Sequence, residues 1–158
     1  MELDELDDRL IPFVRTQTGD PWAKVMNLEP GPGHAGFSYL FDVAAEDKLQ
    51  RYFLRLPPPN VKYEGTADVL RQVASLNALE VTDVPHASVV WSGDDPQWFG
   101  CPYFVVPRID GDVLRGEWLE RFTTDQLRDM ARQAMTALAG IHRVPPERAI
   151  YLGEFWGY

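Results

Sequence analysis

Residues 31–43, GPGHAGFSYLFDV, decide which fold the sequence predicts. The first six match the pattern G-x-G-x-x-G, whose glycines allow a backbone to approach phosphate groups closely. A dinucleotide-binding fold needs a helix to begin inside such a loop, so that the helix N terminus faces the pyrophosphate. Here Phe37, Tyr39, Phe41 and Val43 alternate with smaller or more polar residues, which predicts a half-buried strand. The pattern disfavours a dinucleotide site and leaves two alternatives, a loop that covers phosphates between two strands or a plain hairpin.

The segments on either side of this stretch also have strand character. VMNLEP (25–30) precedes the loop, EDKLQ (46–50) forms a polar turn, and RYFLRL (51–56) predicts a third strand that the prolines at 57–59 end. The connections are too short for parallel crossovers, so we expect an antiparallel meander. Arg55 lies in the otherwise apolar third strand, where it could bind phosphates beneath the loop or lie on the solvated face of an edge strand.

The rest of the chain predicts three helices and two further strands. Apolar spacing favours helices over 3–14, 67–80 and 124–142, and Thr123 with Gln126 fits a capping box before the last helix. SVVW (88–91) and YFVV (103–106) are typical of strands. Because helices and strands do not alternate regularly, the order indicates an α+β fold and disfavours a doubly wound sheet.

Composition excludes several classes of function. The net charge of −9 disfavours binding to nucleic acid. The single cysteine, Cys101, excludes an internal disulfide and a multi-cysteine zinc site, and His34, His86 and His142 follow no metal-ligand spacing. We see no signal peptide and no apolar run near the roughly 20 residues that a membrane span requires. We therefore expect a cytoplasmic domain that contacts neither nucleic acid nor membrane.

Segment 100–111, GCPYFVVPRIDG, has the features of a hinge between two lobes. It is an apolar strand that ends in a proline and a turn, just before a helical region. In a kinase, the adenine base forms hydrogen bonds with the backbone of such a hinge. Pro107 has no N–H, so the donor would have to come from Arg108 or Ile109.

These segments, in this order, resemble the amino-terminal portion of the aminoglycoside phosphotransferase and choline kinase superfamily. The resemblance is greatest to bacterial phosphotransferase-family proteins related to the kinase domain fused to acyl-CoA dehydrogenases. GHAGFSY (33–39) is similar to the phosphate loop of that family, and YFLRLPPP (52–59) is similar to its third strand. LRQVASLNAL (70–79) resembles its first-lobe helix, GCPYFVVPRIDG its hinge, and LAGIHRVPPE (138–147) its Leu-x-x-Leu-His segment. The resemblance extends over residues 10–158.

The resemblance implies a protein-kinase-like N-lobe, with an antiparallel sheet of about five strands, an N-terminal helix and an αC-type helix, followed by the first helices of a C-lobe. Residues 1–107 would form the nucleotide-binding lobe with the start of the hinge, and 108–158 the rest of the hinge and the beginning of the helical lobe. The implied cofactor is ATP or GTP with Mg²⁺. The implied nucleotide-binding residues are Gly33, His34, Ala35 and Gly36 over the phosphates, Arg55 on the phosphates, Gln72 beside Arg55, and Val105, Val106, Pro107, Arg108 and Ile109 around the adenine.

Three of these positions depart from the family pattern. Ala35 replaces a usual serine and removes a hydroxyl donor. Gln72 replaces a glutamate, so the expected ion pair with the strand cation becomes a neutral–charged hydrogen bond. Pro107 stands where glutamate is common.

The catalytic loop of the family, His-Gly-Asp followed by Asn, does not occur in the 158 residues, and neither does its later magnesium-binding Asp motif. We therefore assign no catalytic residue and no metal ligand in this chain, and expect the metal ligands in a missing lobe. Asp94-Asp95 and Asp110-Gly111-Asp112 are interpreted as turns. The expectation is a truncated chain, inactive alone, whose parent transfers the ATP γ-phosphate to a hydroxyl of a small molecule. The sequence identifies neither that molecule nor the choice between ATP and GTP.

Two alternatives remain open at this point. The chain could be a kinase-like binding or regulatory module without catalysis, or a structural domain of an unrelated α+β fold. If the chain is truncated, the apolar stripe of the 124–142 helix lacks the lobe on which it would normally pack, and we expect self-association or pairing with a second chain through it.

Overall fold

The computed structural model describes residues 2–31, 37–111 and 114–149. Within these ranges it contains both helices and an antiparallel sheet, which confirms the α+β class. The α-helices are α1 (Leu3–Thr18), α2 (Val69–Leu79), α3 (Pro96–Phe99) and α4 (Thr124–Ile141). The strands are β1 (Lys24–Pro30), β2 (Phe37–Ala45), β3 (Lys48–Leu56), β4 (Trp91–Gly93) and β5 (Tyr103–Pro107). Short 3₁₀ turns occur at Gly65–Ala67, Gly116–Arg121 and Pro146–Ala149.

The five strands form one sheet in the order β1-β2-β3-β5-β4, and every neighbouring pair is antiparallel. The register of β1 against β2 shifts between Met26 and Glu29. Asn27 lies in this bulge with φ 54°, and its side-chain amide donates to Asp42 Oδ2 at 2.7 Å. Strand β3 is central, because it pairs with β2 on one side and with β5 on the other. The hinge segment therefore lies directly beside the strand that carries Arg55.

One face of the sheet packs against α1 and contains the larger core. Leu6, Leu10 and Phe13 of α1 are fully buried there, because their spacing places them on one side of the helix. The Phe13 ring meets four aromatic rings edge-on, with centroid distances of 5.1–5.7 Å. The helix ends at Gly19, whose φ of 70° is the left-handed conformation that glycine adopts without strain.

The opposite face of the sheet packs against α2. Val69 and Val73 of α2 bury themselves against Phe104 and Val106 of β5, with Phe53 of β3 packed beside them. Asp68 caps this helix, since its carboxylate accepts hydrogen bonds from the backbone N–H groups of the second and third helical residues. The sheet thus lies between α1 and α2, as an N-lobe with an N-terminal helix and an αC-type helix requires.

Several element boundaries differ from those that the sequence predicts. The turn expected over 46–50 consists only of Glu46 and Asp47, both with positive φ, so β3 is longer than expected and begins at Lys48. The strand predicted over 88–91 is wrong: β4 is Trp91–Gly93, and Val90 contributes one hydrogen bond, to Val105 O. The GDDPQ turn contains α3, because Asp95 caps a helix that has proline at its first position.

Helix α4 begins as predicted. The Thr123 hydroxyl accepts from Gln126 N at 3.3 Å, and the Gln126 side chain accepts from Thr123 N at 2.9 Å, which is a complete capping box. The helix approaches the segment 81–85, where Gly140 faces Val84. The apolar side chains of Met135, Leu138 and Ile141 are exposed by 62%, 42% and 45%.

Among the described residues, no helix combines the length and the hydropathy needed to cross a bilayer.

Candidate functional site

A row of apolar side chains crosses the α2 face of the sheet. In the strand register Leu40 lies opposite Phe53, and Phe53 lies opposite Val106. Directly opposed residues of antiparallel strands share one face, so the three side chains are neighbours. They line one side of a cavity of about 320 Å³ that Ala87 and the hinge segment 107–111 complete. This volume lies at the lower end of the range that small-molecule sites occupy.

The hinge backbone has a defined direction at this cavity. Val105 directs its carbonyl toward β4, where Val90 N donates to it at 2.9 Å. Backbone carbonyls alternate in direction along a strand, so the Pro107 carbonyl points the same way as that of Val105. The pairing of β4 with β5 ends at Val105, so this carbonyl has no β4 residue opposite it and lies next to the cavity. Arg108 N–H points the other way and donates to Arg51 O at 2.8 Å. Of the two donors suggested by the sequence, Arg108 is engaged in the sheet, which leaves Ile109.

Arg55 lies on the same face as the apolar row. It is opposite Ser38 on β2 and Phe104 on β5, one pair further along the strands than Phe53. The structure therefore excludes the solvated edge strand as its location. The side chain is half-buried, and desolvation lowers the pKa of its guanidinium, although arginine remains charged at neutral pH.

Gln72 lies on the helix that covers this face. It follows Val69 by three residues and precedes Leu76 by four, so at helical spacing it shares the side of α2 that packs toward β5. Its side chain is half-buried. Arg55 and Gln72 are thus carried by elements that face each other across the same core.

The predicted phosphate loop joins β1 to β2. Gly33, His34, Ala35 and Gly36 lie outside the described residues. The loop begins at Gly31, whose N–H donates to Ser38 O at 2.7 Å and where a side chain would crowd the Ser38 backbone at 3.2 Å. Ser38 is the residue opposite Arg55, so the β2 end of the loop lies beside that cation, and Gly31 at the other end bonds to Ser38.

Two ion pairs at the hinge could not have been found in the sequence. Arg51 Nη2 lies 2.5 Å from Asp110 Oδ2, and Arg108 Nη1 lies 3.5 Å from Glu29 Oε1. The partners are 59 and 79 residues apart, and no spacing rule relates charges at such separations. Only the sheet order brings them together.

The described residues contain no group of three or more His, Cys, Asp or Glu side chains that could hold a metal ion. Asp95 of the Asp94-Asp95 pair acts as the cap of α3, as the interpretation of this pair as a turn suggests. Asp110 pairs with Arg51, and Asp112 lies outside the described residues.

The fold and this face of the sheet define a class. A five-stranded antiparallel sheet between an N-terminal helix and a second helix, with a hinge strand next to the central strand, is the N-lobe of a kinase-like phosphotransferase. The phosphotransferase enzyme family matches the chain over residues 33–156, which is most of its length, and the chain belongs to that family.

Comparison with solved structures agrees on the fold. A crystal structure from Ralstonia eutropha JMP134, which carries the provisional assignment of aminoglycoside phosphotransferase, superposes with a TM-score of 0.67 over 90% of this chain at 18% identity. The chain spans 39% of the length of that protein. No curated protein matches the sequence.

Proposed function

We propose that this chain is the nucleotide-binding lobe of an ATP- or GTP-dependent phosphotransferase that acts on a hydroxyl group of a small molecule. The observation that carries the proposal is the placement of Arg55 on the cavity face. A half-buried cation and an apolar cavity lie along one face of one sheet, and the β2 end of a glycine-rich loop lies beside the cation. Such a face matches a ligand with a flat apolar base at one end and phosphates at the other.

Each part of the face has a role in this proposal. Leu40, Phe53 and Val106 contact the face of the base. The Pro107 carbonyl accepts a hydrogen bond from the edge of the base, and the Ile109 N–H donates one to it. Val105 sets the start of the hinge. The loop residues Gly33, His34, Ala35 and Gly36 cover the phosphates, Arg55 binds them, and Gln72 orients Arg55. A charge-assisted hydrogen bond from a partly desolvated guanidinium is stronger than one in water, which suits Arg55 to phosphate oxygens.

The residues of this face suit the nucleotide better than they suit the magnesium ion that the family uses. Mg²⁺ prefers carboxylate and phosphate oxygens, and it neutralises the charge that develops during transfer. The described polar groups beside Arg55 include Gln72 and Ser38, which suit the nucleotide rather than the ion, and the carboxylates of Glu29 and Asp42 on this face are engaged by Arg108 and Asn27. We therefore propose that the metal ligands and the residue that positions the acceptor hydroxyl belong to the rest of the parent protein. This chain alone would bind nucleotide without turning it over.

A kinase-like binding or regulatory module is the second candidate. Gln72 in place of glutamate and Pro107 at the hinge favour it, since both remove charges that active members of the family use. A parent reading frame that contains His-Gly-Asp, with Asn a few residues later, would decide for the enzyme.

Nucleotide binding by the 158-residue chain tests the proposal directly. Titration calorimetry and thermal unfolding with ADP, ATP and GTP, each with and without Mg²⁺, should show saturable binding. A ligand at 100 times its Kd adds about 2.7 kcal/mol to the free energy of unfolding. The parent protein, given ATP and magnesium, should release ADP with a hydroxylated substrate. Absence of nucleotide binding by both the chain and its parent would overturn the proposal.

We also propose that the protein works in the cytoplasm, where ATP is available. A single half-buried cysteine, Cys101, agrees with a reducing compartment.

A further inference from the structure

The Arg108–Glu29 pair crosses the face that carries the cavity. Glu29 lies opposite Leu40, so it belongs to the same row of side chains as Leu40, Phe53 and Val106. Arg108 directly follows β5, two residues after Val106, and its backbone lies beside Arg51 of β3. Adjacent strands are about 4.8 Å apart, so three strand spacings separate the two backbones by roughly 14 Å. Two side chains whose tips lie 3.5 Å apart can cover that distance only if they extend over the strands between them.

One member of this pair contributes to the cavity that the apolar row lines. Arg108 lines the cavity together with Leu40 and Phe53, while Glu29, which is 55% exposed on its side chain, lies outside the lining. The Arg108 side chain, at 34% exposure, is the more buried of the two partners. Arg108 is therefore part of the cavity wall, and the Glu29 carboxylate holds its guanidinium from outside the lining.

The position of Arg108 is fixed by more than this ion pair. Its backbone N–H is bonded to Arg51 O at 2.8 Å, which anchors its backbone to β3. The adjacent carboxylate, Asp110, is occupied by the Arg51 guanidinium at 2.5 Å, so it does not compete with Glu29 for Arg108. An arginine held in this way has lost part of its rotational freedom before any ligand binds, which lowers the entropic cost of a contact.

We propose that Arg108 is a base-stacking residue of the nucleotide site, a role that rests on the proposed function of the cavity. The planar guanidinium stacks on one face of the purine, and Leu40, Phe53 and Val106 contact the other. Glu29 keeps the guanidinium extended across the site. Arginine suits this role because its charge is delocalised, weakly hydrated and attracted to aromatic faces. A partly exposed ion pair contributes at most about 1 kcal/mol, so it can adjust to a ligand at little cost.

The test compares a ligand that has a base with one that has none. We would measure the Kd of ADP and of inorganic tripolyphosphate for the 158-residue chain and for Arg108→Met, which keeps the apolar stem and removes the guanidinium. A cation–π contact of about 0.5–1 kcal/mol corresponds to a Kd for ADP that rises about two- to fivefold, with the Kd for tripolyphosphate unchanged. Glu29→Gln should give a smaller rise in the same direction. Arg128→Met, an exposed arginine on α4, is the control for the loss of one positive charge.

Arg108→Lys is a more conservative second variant, included in case Arg108→Met fails to fold. It keeps the positive charge and loses the planar group, so it should also weaken ADP binding. An unchanged Kd for ADP in both Arg108 variants, or an equal loss for ADP and tripolyphosphate, would overturn the stacking role while leaving the proposed function intact. Failure of the unmodified chain to bind ADP would overturn both.

Discussion

Arg55 shows how strongly the role of one residue depends on its strand neighbours. In the sequence it is a single charge among apolar residues, equally suited to solvent or to a site. In the structure its strand has partners on both sides, and its side chain shares a face with Phe53 and Phe104. A cation kept half-buried in such a place loses hydration, which a phosphate group can replace.

Replacing this cation should weaken nucleotide binding more than any other change in the described residues. We expect Arg55→Gln to raise the Kd for ADP about tenfold to a hundredfold, since a hydrogen bond to a charged group contributes about 1.5–3 kcal/mol. Tripolyphosphate affinity should fall equally, because the contact is to phosphate. Arg55→Lys should retain part of the affinity, whereas Arg128→Gln on α4 should have no effect. Equal affinities of Arg55→Gln and the unmodified chain, measured by calorimetry, would remove Arg55 from the site.

Gly140 is a point of close approach between α4 and the segment 81–85. A Cβ added there would lie 2.5 Å from Val84 Cγ2, and the short branched valine side chain has little freedom to move away. Gly140→Ala should therefore lower the free energy of unfolding by about 1 kcal/mol, because overpacking costs about 1–3 kcal/mol and outweighs the gain in helix propensity of about 1 kcal/mol.

A second substitution reverses the sign of this effect. In a Val84→Ala background the clash disappears and the helix gain remains, so Gly140→Ala should there be neutral or stabilising. Gly116→Ala is the matched control, since a Cβ added at Gly116 would have no atom within 4 Å. Denaturant titrations of the four Val84 and Gly140 combinations measure the coupling. Additive effects would show that α4 does not approach Val84 in solution.

At the scale of elements, the β2–β3 hairpin combines a strong register with an unfavourable turn. Ala45 pairs with Lys48, so the loop is two residues long, and Glu46 and Asp47 have φ of 47° and 61°. Two-residue hairpins of this kind prefer Asn-Gly, because non-glycine residues are strained at positive φ. Nine residue pairs join the two strands, and this long ladder accommodates the strain.

Relieving that strain should stabilise the whole sheet. We expect Glu46→Asn with Asp47→Gly to raise the free energy of unfolding by about 1 kcal/mol, since left-handed backbone costs about 1–2 kcal/mol per ordinary residue. The hydrogen bond from Glu46 N to Asp20 Oδ2 uses the backbone and should persist. Glu46→Gln removes the charge without changing turn preference and serves as the control. If thermal unfolding shows equal gains for the control and the double variant, charge rather than backbone strain would be the cause.

At the scale of the whole molecule, α4 presents most of its apolar side to solvent. The helix meets the 81–85 segment through Gln133, Thr136 and Gly140, while the side that carries Ala131, Ala134 and Leu138 faces away from it. Small residues lie in the middle of this stripe and large ones toward its two ends, Leu127 and Met130 at one and Leu138 and Ile141 at the other. In an antiparallel pair of α4 helices centred on Ala134, Leu138 of one copy would face Met130 of the other.

We therefore expect the 158-residue chain to self-associate through α4. Leu138→Glu should shift the chain to monomer in analytical ultracentrifugation, because it places a charge within the paired stripe. Because each chain carries a net charge of −9, association should strengthen as salt screens the repulsion. Asp125→Asn, outside the apolar stripe, is the control. A monomer at high concentration and high salt would contradict this expectation.

The sequence by itself determined the features that depend on local chemistry. Alternation fixed β2, the Thr123–Gln126 box fixed the start of α4, and the motifs in order gave the fold class that the structure confirms. The predicted element boundaries were wrong where pairing with a distant strand decides the position of an element. The strand expected over 88–91 shifted to Trp91–Gly93, because the position of β4 depends on its pairing with β5.

Only the tertiary structure decided which residues meet. It placed Arg55 on the α2 face, engaged the Arg108 amide with Arg51, and brought Arg108 across the sheet to Glu29. There are two physical reasons. A period-two pattern divides the residues of a strand between two faces, but it does not say which helix covers which face. Contacts between residues far apart in the sequence depend on the order of the strands in the sheet. Hydrophobic burial along the chain specifies the strands, whereas the antiparallel pairing of β3 with β5 creates the site.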